Sequence, residues 1–565
     1  MTPSPVRGRS SARTSARFRP ALLAAGAATA LLLTGCSGGA GATGAQGSPD
    51  TRLLTIPRED MGTFTRNFNP YSPKAAPMTR EAVYEPLMIH NPADGKDTPW
   101  LATSWTRAAD GRSVTFALRE GVKWSDGVPF TAEDVVHTFA LQKKLLGGFD
   151  YLTKVTADTP AKVTFHFSKP FSPALYEIGG HFVTPKHIWS KIADPAKDVN
   201  ATPVGTGPYT RVAAFQAQSF ELRKNPSYWQ PAKQRIAGIR MLAFSGNDSA
   251  NLAFTNGEVD WTQSFVPEIE KSFVAKDPEH NHYWFPTTGA MINWQLNTAR
   301  APFDDPALRK ALSRAVDRAK IAKVAMNGYT EPADCTGLSN GYDAWRDAAV
   351  AASCDWTAYD PKAAASALDA AGYTLDGGKR TRKDGTQLTL DISVGSASSD
   401  WISVANIIKQ NLAEVGVTAT VKSPDWSAVV SSYEDGSFDS GIVWSGNGAT
   451  PYEFYRGAMA RTTVKPVGEK ATENYHRFGD PKADALIDAF AAGDAATQKA
   501  KAAELQRLFA ADAPVVPLFP GPEWGAYTDS RFTGWPSEEN PYATLSNRSV
   551  TTVLVLTSLQ PVTGK

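Results

Sequence analysis

Residues 388 to 421 constrain the fold more than any other stretch. Leu388, Leu390, Ile392 and Val394 alternate with polar residues as in a strand buried on one face. The small loop GSASS follows, then a run in which Trp401, Val404, Ala405, Ile408 and Leu412 share one helical face. Gly416 ends that run, and Val417, Ala419 and Val421 alternate again. Strand, helix and strand in about 35 residues form a βαβ unit, which demands a parallel sheet with a right-handed crossover. Ligands of such sheets sit beyond the carboxyl ends of the strands, so residues 396 to 401 are expected near any site in this half.

Other segments fit helices laid on that sheet. Three runs open with Asp as N-cap and Pro at the first helical position: DDPALRKALSRAVDR (304–318), DPKAAASALDAAG (360–372) and DPKADALIDAF (480–490). Between Thr98 and Pro203 the pattern changes to alternating strands with turn residues, plus a helix opened by a capping box of Thr131 and Asp134. That stretch reads as a smaller α+β segment inserted in the chain. At 565 residues the chain exceeds one compact core, and two or three domains are expected.

The amino terminus carries five arginines, then ALLAAGAATALLL. Thirteen apolar residues span about 20 Å as a helix, short of the ~30 Å hydrocarbon core, so this is a signal-peptide core rather than a membrane span. Leu33-Thr34-Gly35-Cys36 resembles a bacterial lipobox, which implies lipidation of Cys36 and removal of residues 1–35. Residues 36–49 then form a Gly/Ala/Ser tether. Without the leader arginines the chain holds 53 basic against 57 acidic residues, a balance that offers nucleic acid no footprint. Cys335 and Cys354, in an exported chain, are expected to form a disulfide, with two free thiols as the alternative.

No catalytic constellation is present: G-x-S-x-G, H-E-x-x-H, a P-loop and a helix-opening G-x-G-x-x-G are all missing. Glu133 and Asp134 lie in the first turn of a helix, where acids favour the macrodipole. His181 and His187 lack a third ligand nearby, so neither a metal nor a cofactor is expected. A secreted hydrolase would need paired carboxylates across a cleft, and no suitable spacing stands out.

LREGVKWSDGVPFTAEDVVHTF (118–139) resembles the signature block of the extracytoplasmic solute-binding proteins of ABC importers. The class in question includes oligopeptide-, dipeptide-, nickel- and oligosaccharide-binding members. YEPLM (84–88), GTGPY (205–209), NPSYW (225–229), INWQLNTARAPFDDPALRKALSRAVDR (292–318) and APVVPLF (513–519) support it in order. The resemblance implies an α/β, two-lobed, hinged periplasmic-binding-protein fold of type II, class C, with an additional N-terminal α+β subdomain. Lobe I would be 50–83, 204–289 and 528–565, the inserted subdomain 84–203, and lobe II 290–527. It implies no cofactor, a monomer, and an ABC permease as partner, with the lipid anchor as the only contact with the membrane.

Peptide carriers of this class pair the ligand's amino group with an acid in a W-x-x-D-x-x-x-P motif. The similar run here is Trp444 to Pro451, with Asn447 where the aspartate would stand. A buried ammonium without a counter-charge costs several kcal/mol, so the substitution favours a neutral ligand. Fifteen tryptophans are about twice average usage and suit sugar rings, whose C–H faces stack on indoles. Trp105, Trp124, Trp189 and Trp229 are assigned to the core. Trp261, Trp294, Trp426, Trp444, Trp524 and Trp535 are the aromatic candidates for ligand contact, with Asn447 as hydroxyl reader. Asn69 and Tyr71, with Asn67, lie in RNFNPYSP, which is similar to the cello- and manno-oligosaccharide-binding branch; Asx-turn capping is their alternative role. The expectation is a neutral oligosaccharide receptor. Its rival is a peptide receptor whose amine meets Asp425, Asp439 or Glu453.

Overall fold

The computed structural model describes residues 52–382 and 384–562. The leader, Cys36 and the tether lie outside them. The βαβ unit is present: strand Thr389–Ser393 pairs in parallel with Thr418–Lys422, and helix Ser399–Glu414 connects them. The full sheet has five strands in the order Thr418–Lys422, Thr389–Ser393, Ser440–Trp444, Thr287–Leu296 and Val516–Pro522. Its first three strands run parallel, while Thr287–Leu296 runs antiparallel to both neighbours. Ile392, Trp294 and Leu296 meet Trp401, Val404, Ile408 and Leu412 in one core. Each large side chain buried there contributes roughly 1.5–3 kcal/mol.

The Asp caps recur as bonds. Asp305 accepts from Ala307 N at 2.8 Å and Asp360 from Ala363 N at 2.9 Å, interactions worth about 1 kcal/mol each. The first of these helices is shorter than its apolar stripe. Ala315 and Val316 are buried as the spacing requires, but the helix runs only Pro306–Arg314. Asp317 then caps a new turn by accepting from Lys320 N at 2.8 Å. The adjoining Arg318 is buried, donating to Pro517 O, Thr357 O and Ser313 Oγ. Satisfying that guanidinium fixes the break.

A second sheet, ordered Leu54–Arg58, Gly238–Ala243, Ser219–Lys224 and Tyr209–Gln216, is antiparallel except for its first pair. A third, fully antiparallel and four-stranded, comprises Ala102–Arg107, Ser113–Leu118, Lys162–Phe167 and Leu152–Thr159. Helix Ala132–Leu145 packs on it. Asp134 accepts from Thr131 N at 2.8 Å and from Lys186 N at 2.8 Å, the structural role its helix position suggested. His181 is packed among Phe139, Phe149 and Phe182, whereas His187 pairs with Asp126 at 2.7 Å.

This segment also reaches the helices Pro481–Ala492 and Ala495–Asp512. Ser172 N donates to Ala491 O at 2.7 Å, Gln498 Nε2 to Ser172 Oγ at 2.6 Å, and Phe171 meets Tyr452 edge-on. Cys335 and Cys354 form a disulfide across a separation of 19 residues. Closing a loop of that length stabilises the fold by about 3 kcal/mol in the chain-entropy account. Among the described residues no helix is long and apolar enough to cross a membrane.

Candidate functional site

The carboxyl ends of the parallel strands open on a cavity of about 1010 Å³, the upper end of the ~300–1,000 Å³ usual for small-molecule sites. Trp444 closes strand Ser440–Trp444 and is 56 % exposed, a large apolar surface presented to this space. Trp401, from the first turn of the crossover helix, meets it edge-on at 5.5 Å. Trp426, the first residue of helix Trp426–Asp435, lies 6.4 Å away at a tilt. Asp425 caps that helix on Ala428 N. Three sequence-distant indoles thus converge because three element ends do. Phe265 and Trp524 form a second aromatic pair on the lining, 5.1 Å apart.

Past Trp444 the lining turns polar. Asn447 Nδ2 donates to Thr288 O at 3.3 Å. The Tyr342 hydroxyl donates to Gly448 O and accepts from Gly448 N, both at 2.9 Å. Glu453 reaches this turn so closely that a Cβ on Gly448 would stand 2.5 Å from its Oε2. That Oε2 atom is buried and has no hydrogen-bond partner. Burial, reinforced by Glu177, pushes the Glu453 carboxyl up to about 8. Burial likewise raises Asp400 to about 6, with Glu59 adding repulsion.

The missing charge at Asn447 therefore does not make the cavity neutral. Its lining holds Glu59, Asp60, Asp400, Glu453, Glu473 and Glu523 against Arg58, Arg456 and Arg548. Each arginine is ion-paired: Arg58 with Asp60 at 2.5 Å, Arg456 with Glu473 at 2.6 Å, and Arg548 with Glu59.

Of the residues singled out from sequence, the cavity brings together Trp444, Trp426, Trp524 and Asn447. Five others lie elsewhere. Trp261 is fully buried, donates from Nε1 to Leu545 O at 2.8 Å, and packs edge-on against Trp535. Trp535 stacks on Tyr527 at 4.7 Å and donates to Phe532 O. Trp294 is sealed between the large sheet and its helices. Asn69 donates to Pro195 O and Asp198 O, and its Oδ1 accepts from Tyr71 N, the Asx-turn role. Tyr71 bonds through its hydroxyl to Thr184 Oγ1.

Among the three candidate acids, Asp425 is an exposed cap and Asp439 pairs with Arg300 at 3.1 Å, so only Glu453 faces the cavity. Sequence reasoning missed Asn293, Gln295, His476 and Glu523. The first two carried a signal, since Met291, Asn293 and Gln295 alternate with Ile292, Trp294 and Leu296 and mark a strand with one polar face.

Residues 97–465 match the model of the bacterial extracellular solute-binding proteins, family 5 (middle). The nickel-binding periplasmic protein of Escherichia coli K12 is 28 % identical over 386 residues, covering 66 % of this chain and 71 % of that protein. A periplasmic oligopeptide-binding protein of Thermotoga maritima, solved with mannohexaose bound, superposes with a TM-score of 0.83 at 25 % identity, covering 91 % of this chain and 99 % of that one. The oligopeptide-binding protein AppA of Bacillus subtilis, in complex with a nonapeptide, shares the fold with a TM-score of 0.75 at 17 % identity, covering 91 % and 100 %.

Proposed function

This chain belongs to the bacterial extracellular solute-binding proteins of family 5, and from that premise we propose that its solute is an oligosaccharide. It is the substrate-binding component of an ABC importer, and it binds rather than catalyses. In this reading the solute lies between lobe I (50–83, 204–289, 528–565) and lobe II (290–527). Contact with both lobes in the closed state alone would drive hinge closure. The receptor is held at the outer face of the membrane by lipid on Cys36 and delivers its load to a permease.

One observation carries the oligosaccharide reading. Trp444 exposes more than half its surface into the cavity, flanked by Trp401 and Trp426. An exposed indole costs the free protein apolar surface, and a sugar ring's C–H face is a partner that covers it. Beside it Asn447 offers donor and acceptor together, the complement of a hydroxyl, so the ring at this position is a neutral one. The mannohexaose found in the Thermotoga protein supports the same class. A peptide is the second reading, favoured by the Glu453 carboxylate in the cavity.

Thermal unfolding of the chain from residue 37 onward, against manno- and cello-oligosaccharides and short peptides, tests this. A ligand at 100 times its Kd adds about 2.7 kcal/mol of stability. A rise in Tm with a sugar, absent in Trp444→Ala, is the expected result. A rise with peptides alone would replace the oligosaccharide reading with the peptide one. Intact-mass analysis of membrane-extracted protein, against Cys36→Ser, checks the anchor.

A further inference from the structure

We propose that Tyr176 and His90 form a second sugar subsite of the cavity, through which the protein selects its solute by chain length. The proposal rests on the oligosaccharide reading and deepens it: one ring of the solute stacks on Trp444, and a later ring of the same chain lies against Tyr176.

Both residues come from the inserted segment 84–203 rather than from the large sheet that supplies Trp444. Among the described residues that segment borders the cavity with His90, Pro92, Tyr176 and Gly180. His90 stands on strand Met88–Asn91 and Tyr176 on helix Ala174–Gly179. Their rings meet at 4.9 Å and 69°, a corner rather than a stack. The corner is held from two sides. Asn91 Nδ2 ties the strand to Pro541 O at 2.7 Å. Next to Tyr176, Glu177 accepts from the Tyr151 hydroxyl at 2.7 Å; Phe171 stacks on Tyr151 at 4.1 Å and meets Tyr452 edge-on. A ring platform on such supports is ordered before the solute arrives, so binding does not have to order it.

The polar atoms of the corner are open to a ligand. His90 Nδ1 lies 2.7 Å from Asp97 Oδ1. A carboxylate only accepts, so Nδ1 carries the proton and Nε2 is left as an acceptor. Neither Nε2 nor the Tyr176 hydroxyl bonds to a protein atom among the described residues. Neither residue is sealed: the His90 side chain is 20 % exposed, and Tyr176 is half-buried. The corner thus offers a flat apolar ring, an acceptor, and a hydroxyl that both donates and accepts. A sugar ring answers each of these with a C–H face and hydroxyls. None of the four lining residues is an acid, a lysine or an arginine, which suits a neutral unit. Contacts lead from one platform to the other. Past Trp444 the turn at Gly448 touches Glu453, and Glu453 feels the charge of Glu177, the neighbour of Tyr176. The polar recess around Glu453 therefore lies along the way, and a cavity of about 1010 Å³ has room for several rings.

The test is calorimetry with the biose and the pentaose of the manno and cello series, and with trialanine, on the chain from residue 37 onward. Its Tyr176→Ala, Tyr176→Phe, His90→Ala and Trp444→Ala variants are measured alongside, each checked for cooperative melting. In the better-bound series the pentaose is expected to bind at least about tenfold tighter than the biose, the scale of one more stacked and hydrogen-bonded ring. Tyr176→Ala lowers the pentaose affinity about fivefold and His90→Ala about threefold, and both losses fall on the pentaose rather than the biose. Tyr176→Phe keeps the ring and most of the preference, while Trp444→Ala weakens both lengths. Equal affinity for biose and pentaose, or a preference that survives both Tyr176→Ala and His90→Ala, overturns the length-selecting subsite; biose binding weakened by Trp444→Ala would still uphold the oligosaccharide reading. An equal loss of both lengths in a normally melting Tyr176→Ala also overturns the subsite and leaves that reading standing. Binding of trialanine alone, or of none of the probes, overturns both.

Discussion

The cavity has two unlike walls. Along Trp401, Trp426 and Trp444 the groups on offer are flat and apolar, and the outermost is open to solvent. Across Asn293, Gln295, Glu453 and His476 they are polar, enclosed and short of partners. The first kind of wall costs a free protein little and tolerates many ring-shaped ligands. The second costs folding free energy continuously, which makes it the more demanding feature to keep and the sharper selector. In the oligosaccharide reading proposed above, breadth of recognition belongs to the indoles and discrimination to the polar wall.

Truncating the wall should separate support from contact. Trp401 is 7 % exposed and holds the sheet to its crossover helix, so Trp401→Ala is expected to destabilise the protein by about 3–5 kcal/mol in denaturant titration. Removing the bridge with Cys335→Ser and Cys354→Ser should cost about 3 kcal/mol. Because the bridged loop carries Tyr342, amide exchange at Gly448 should accelerate on the recess side while Trp444 fluorescence stays unchanged. Trp444→Ala should leave denaturant stability within about 0.5 kcal/mol, yet forfeit about 1 kcal/mol of sugar binding by calorimetry.

Glu453→Gln gives the most specific effect, because it depends on pH. The folded carboxyl titrates near 8 against an ordinary value of 4.5, so its contribution is fully present below 4.5 and is lost as pH rises through 8. The glutamine variant does not undergo that loss. Urea unfolding at pH 4 and pH 8.5 should show the variant gaining on the parent only at the higher pH. An equal difference at both pH values would mean that Glu453 does not titrate in this window.

What could be read without coordinates follows the range of the interaction. The βαβ unit and the Asp-capped helices are written in contiguous spacing, and they begin where the spacing puts them, although the helix opened by Asp305 stops at Arg314, short of its stripe. Trp444 was also legible, because it ends the apolar run SGIVW and parallel sheets bind at strand ends, whereas Trp426 stood only as one tryptophan among the candidates. Trp261, Trp294 and Trp535 were not separable from them. Whether an indole on a strand is covered depends on what chain packs over it: Leu545 lies 284 residues from Trp261. The acidity of the recess escaped for the same reason. Glu453 was visible as an acid, but its burial depends on Glu177 and Tyr342 arriving from elsewhere.

The bridge between Cys335 and Cys354 has a consequence for when the molecule becomes itself. Tyr342 sits inside the bridged loop and clasps the turn that sets Gly448 against Glu453, so oxidation of the two thiols steadies the loop that holds this turn. The reducing cytoplasm withholds that step. A chain still on the inner side of the membrane lacks that cross-link, so crossing the membrane is also the step that lets this loop be closed.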